Sequence, residues 1–141
     1  MKNLKIAVTL GFVLGLAAVL SIAAGPVKVI ANPSVKADSI SADELKSVFL
    51  EESDSLHGSH VEPVLIREGP AAEAFASTYL GKTDSALQAY YRSLVFTGKG
   101  SMPKTLASDS EVVTYVAKTK GAIGYVGPGT STEGVKMLEV K

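Results

Sequence analysis

Short β-branched and aliphatic runs alternate along this chain with helical periods that begin at capping residues. That interleaving constrains the fold more than any other feature. Val27-Lys28-Val29-Ile30-Ala31, bounded by Pro26 and Asn32-Pro33, reads as a strand. Ser41-Ala42-Asp43-Glu44 carries the spacing of a capping box, and Leu45, Val48 and Phe49 behind it form one apolar helix face. Residues 51–60 are polar and turn-rich and read as loop. Residues 61–66 form a second strand, in which Pro63 lacks a ladder donor and so predicts one-sided pairing nearby. Gly69-Pro70 opens a helix whose expected buried face is Ala74, Phe75 and Thr78 or Tyr79, with Gly81 as its left-handed stop.

The strongest helical period spans residues 84–96, with Leu87, Tyr90, Tyr91, Leu94 and Val95 on one face. Residues 97–104 read as a glycine- and proline-containing loop. Ser108-Asp109-Ser110-Glu111 has capping-box spacing again, before a helix that buries Val112, Val113 and Val116 and stops at Gly121. Residues 122–126 form a strand, Gly127-Pro128-Gly129 a turn, and residues 135–140 an alternating last strand. The expected order, β-α-β-α-α-α-β-β, favours an α/β sandwich with a partly parallel sheet.

The first 24 residues stand apart from this pattern. Lys2 and Lys5 precede an uncharged, mostly apolar run over residues 6–24, and small residues at Ser21-Ile22-Ala23-Ala24 suit a signal peptidase. The run is 19 residues long, so a retained membrane anchor is the competing reading. In both cases residues 25–141 are expected as one domain outside the cytoplasmic membrane. The chain has no cysteine, which excludes disulfides, thiolate chemistry and a lipid-modified cysteine. Acidic and basic residues balance at 14 each; without Lys2 and Lys5 the remainder is two units negative. With no basic block, there is no electrostatic basis for binding nucleic acid.

Four segments carry a resemblance in their order: Ser47-Val48-Phe49-Leu50, Phe96-Thr97-Gly98-Lys99-Gly100, the run Glu111 to Val116, and Lys120-Gly121-Ala122-Ile123-Gly124-Tyr125-Val126. Together they resemble the second lobe of the phosphate-binding proteins of ABC transporters, a type 2 periplasmic-binding-protein fold. The resemblance implies a single lobe with a mixed sheet flanked by helices, an extracytoplasmic location, a small oxyanion such as phosphate as ligand, and a membrane permease as partner. In that family an arginine and a Ser-Gly-Thr loop hold the anion. Here Arg67 falls near the arginine, but Pro70-Ala71-Ala72 stands where the hydroxyls belong. Glu51 replaces a family glycine, and Lys120 a proline.

The candidate ligand-binding residues are therefore Arg67 and Gly69 at the strand-to-helix turn, where free helix amides favour an anion, and Thr97, Gly98 and Lys99 in the glycine turn. Each has a structural alternative: Arg67 pairs with Glu68 or Glu73, and the glycine turn merely connects two helices. His57 and His60 lie near Glu51, Glu52 and Asp54, but no further ligands complete a metal site. No cofactor is expected. No nucleophile elbow or buried carboxylate pair supports an enzyme. Two functions stay open: an exported solute-binding domain, or a non-catalytic interaction or structural module, self-association included, that has lost phosphate binding.

Overall fold

The computed structural model describes residues 26–141. The signal or anchor expected over residues 1–24 lies outside the described residues. The elements are β1 (Lys28–Ala31), β2 (Ser39–Ile40), α1 (Ala42–Phe49), β3 (Ser55–Leu56), β4 (Ser59–His60), β5 (Glu62–Ile66), α2 (Pro70–Phe75) continuing as a π-helical segment (Ala76–Leu80), α3 (Asp84–Phe96), β6 (Lys104–Leu106), α4 (Asp109–Lys118), β7 (Ala122–Val126) and β8 (Lys136–Val140). Six strands form one sheet in the order β2-β8-β1-β7-β5-β6. β1 is antiparallel to both its neighbours, while the β2/β8, β5/β7 and β5/β6 pairs are parallel. Five strands thus share one direction, and their carboxyl ends share one edge.

Both faces are covered. Tyr125 of β7 lies among Phe49 and Phe75, with the Phe75 and Tyr125 rings stacked at 4.0 Å and Phe49 edge-on to Phe75 at 4.7 Å. Its neighbour Gly124 points the opposite way, towards Val112 and Val116 of α4, because successive strand residues alternate faces. All five residues of β7 are consequently buried, as expected of a central strand in a doubly covered sheet.

Local signals and structure agree at several points. The α1 capping box is closed: Glu44 N donates to Ser41 Oγ at 3.0 Å, and Ser41 N donates to Glu44 Oε1 at 3.0 Å. Pro63 pairs with Ile123 of β7, while β6 joins β5 only from Val64 onwards, so the proline needs no second partner. Gly81 ends the α2 segment at φ +63°. Glu51 has φ +60°, a left-handed backbone that glycine adopts more readily than glutamate.

Other expectations are corrected. Residues 55–60 form a small hairpin, and β2 and β6 are strands; all are two or three residues long, too short to show a period. Thr78 is exposed, and Ala71, Ala72, Phe75, Ala76 and Leu80 form the buried face, because the π segment shifts the helix phase. Val95 is exposed; the fully buried positions of α3 are Leu87 and Tyr91. In α4 Ser108 does accept from Glu111 N at 3.3 Å, but Glu111 reaches back to Ala107 N rather than to Ser108, so that box is only half closed.

Candidate functional site

The carboxyl edge of the parallel strands collects the ends of β5, β6 and β7, since Ile66 stands level with Leu106, and Val126 with Lys28. Ligand crevices of open α/β sheets form outside the carboxyl ends of the strands, at this edge. Arg67 and Gly69 leave β5 here. Arg67 is tied by its backbone N–H to Leu106 O at 2.8 Å, and its side chain is exposed. Gly69 has φ +111° and caps α2 with no side-chain bond. The first amide of α2 to find a backbone acceptor is Glu73 N, on Gly69 O at 3.0 Å. Pro70 has no N–H, so Ala71 and Ala72 supply the leading amides.

Tyr125 holds the turn from below. Ile66 N donates to its hydroxyl at 3.1 Å. Burial pushes this phenol up to about 12; the Ile66 amide partly offsets the rise, and Asp84 and Asp109 add to it. It is therefore a neutral positioning group at any physiological pH. Asp109 accepts from Gly127 N at 2.7 Å and from Thr130 Oγ1 at 2.8 Å, which fastens the β7–β8 loop to the start of α4. Lys28 donates to Thr130 O at 3.1 Å, which adds a second cation to this edge. Sequence patterns missed Lys28, Asp109 and Thr130 as edge residues. The turn at 127–129 was visible, but its carboxylate partner 18 residues upstream was not.

The edge is not uniformly positive. Glu68 and Glu73 are exposed beside the turn, and a cleft of about 670 Å³ between α2 and α3 is lined by Glu73, Ser77, Thr83, Asp84 and Ser85 among others. Arg67 takes part in none of the three ion pairs among the described residues, which are His57–Glu44, His60–Asp54 and Lys136–Asp38. The alternative that it is sequestered by Glu68 or Glu73 does not hold in this conformation.

The structure does not bring the five candidate residues together. Thr97, Gly98 and Lys99 follow α3 and lie at the amino edge, where Gly98 and Lys99 line a cleft with Glu51, Glu52 and Asp54. The five residues of β5, at about 3.3 Å each, separate the two groups. The physical reason is the direction of α3: it begins beside Pro70 and Glu73 at the carboxyl edge and runs to the amino edge, where the Tyr90 hydroxyl donates to Leu50 O at 2.7 Å and the Tyr91 hydroxyl to Phe49 O at 2.5 Å. The two histidines also diverge. His57 Nε2 lies 3.1 Å from Glu44, and His60 Nδ1 lies 4.0 Å from Asp54.

No family model matches the sequence, and no curated protein matches it. Solved structures do match the fold. An ABC-type phosphate transport receptor from Vibrio cholerae superposes with a TM-score of 0.60 at 11% identity, over 82% of this chain and 46% of that one. A Clostridium perfringens protein, crystallised with bound phosphate and assigned as a phosphate ABC-transporter substrate-binding protein, gives 0.60 at 12% identity, over 82% and 44%. PstS from Borrelia burgdorferi gives 0.56 at 15%, over 82% and 47%. The chain spans a little under half the length of these three structures. Its fold is that of a single lobe of a periplasmic binding protein, a mixed sheet flanked by helices.

Proposed function

We propose that this chain is an extracytoplasmic solute-binding-type lobe that takes a small oxyanion at the β5–α2 turn. One observation carries the reading. The turn presents an uncapped helix start next to an exposed arginine with no ion-pair partner among the described residues, at the carboxyl edge of a sheet whose fold recurs in a structure with bound phosphate. Helix amides and the dipole favour an anion there, and the guanidinium adds a two-pronged donor. The basic start and apolar run of residues 1–24 support export or anchoring. The transport receptors among the similar structures support an ABC-transporter permease as partner.

Affinity is expected to be low. Proline removes one amide, no hydroxyl stands at Pro70-Ala71-Ala72, and Glu68 and Glu73 repel an anion. Isothermal titration of the purified chain with phosphate and sulfate tests the proposal. Binding should weaken at least tenfold in Arg67→Ala while the melting temperature without ligand stays unchanged. Equal affinity in Arg67→Ala, or no heat with either anion at millimolar concentration, overturns it.

A further inference from the structure

Four large apolar residues are exposed among the described residues, and three of them lie on one short stretch: Val95 at 52%, Phe96 at 94% and Met102 at 43%. Val95 and Phe96 end α3, and Met102 precedes β6, so this stretch forms part of the amino edge. An aromatic ring left in water at the end of a helix has no folding role, and such rings are typical anchors of protein interfaces.

The ground next to this stretch is acidic. Glu51, Glu52 and Asp54 line an open cleft of about 650 Å³ together with Gly98, Lys99, Gly100 and Ser101. Glu51 and Asp54 also line its neighbour, with Glu62 and Met102. Four carboxylates thus border the clefts against Lys99, Lys104 and His60; Lys104 is drawn to the Tyr115 ring at 5.5 Å, and His60 Nδ1 stands 4.0 Å from Asp54. Burial holds the Glu51 carboxyl above its usual range, and Asp54 and Glu62 push it the same way. Glu51 and Glu52 belong to none of the three ion pairs among the described residues. A cation from outside would relieve that repulsion.

We infer that this amino-edge surface docks a protein segment that is both apolar and basic, with Phe96 seated against its apolar side chains and a lysine or arginine reaching the cleft of Glu51, Glu52 and Asp54. The chemistry selects this occupant. A second copy meeting the same surface would set carboxylates against carboxylates, and an anionic membrane would be repelled by the same groups. The surface stands at the edge opposite Arg67 and does not depend on anion binding there.

The test uses a fluorescent ten-residue peptide of alternating lysine and leucine, a counterpart with glutamate in place of lysine, and phosphatidylglycerol vesicles. Anisotropy is read against the purified full chain. Wild type should bind the lysine peptide, more weakly at high salt. Phe96→Ser should weaken binding at least tenfold, as should Glu51→Gln combined with Glu52→Gln. Met137→Ser removes an exposed residue of similar character on β8 and should change nothing. The inference is overturned by equal binding in all variants, by equal affinity for the glutamate peptide, or by a preference for the vesicles. Phe96 is almost wholly exposed, so its replacement by serine leaves the core intact.

Discussion

Gly121→Ala tests whether the amino edge is held by backbone contact. Gly121 has φ +77°, and a Cβ there would stand 2.6 Å from His60 O. Its own groups are engaged: the amide donates to Ser34 Oγ at 3.1 Å, and the carbonyl accepts from Glu62 N at 2.8 Å. The residue cannot retreat without loosening β5. Left-handed backbone costs alanine about 1 kcal/mol. A clash with backbone, which cannot rotate away, adds about 2 kcal/mol. Gly81→Ala is the matched control, with φ +63° and nothing within 4 Å of its Cβ. Urea unfolding followed by circular dichroism should show a loss of about 3 kcal/mol at Gly121 and about 1 kcal/mol at Gly81. In a melt the first amounts to roughly 12 °C for a domain of this size. If the two losses agree within about 0.5 kcal/mol, the contact with His60 contributes nothing and the reasoning fails.

The raised Glu51 carboxyl makes stability fall as pH rises through its folded-state pKa, because the folded state holds the proton more tightly than the unfolded chain. Glu51→Gln should therefore melt above wild type at pH 7, and the gain should fade as pH drops below the ordinary glutamate value; a gain independent of pH would contradict this. Glu51→Gly should also stabilise, by about 0.5–1 kcal/mol in urea unfolding, by relieving the backbone at φ +60°. Ser41→Ala should cost about 1 kcal/mol, and more than Ser108→Ala, because only the α1 box closes in both directions.

What was legible in the sequence was local. Ser41 with Glu44, Pro63, Gly81 and the period over 84–96 each act within about four residues, so their physics is written in consecutive letters. The edges of β5 and β7 showed as apolar runs for the same reason. The strand order, and with it the placement of the candidate site, was not legible. Asp109 meets Gly127 and Thr130, Tyr125 meets Ile66, and Lys28 meets Thr130 across separations of 18 to 102 residues.

The sequence alone thus determined an α/β domain, a strand-to-helix turn with Arg67 and Gly69, and a glycine turn at 97–99. Only the tertiary structure decided that these two turns lie at opposite edges of the sheet. Helical period says which face of α3 is buried but not which way the helix runs over the sheet. Its direction shows only in three dimensions, in the Tyr91 and Tyr90 hydroxyls that donate to Phe49 O and Leu50 O at the end of α1. Beyond those two bonds, α3 ends with Phe96 in water.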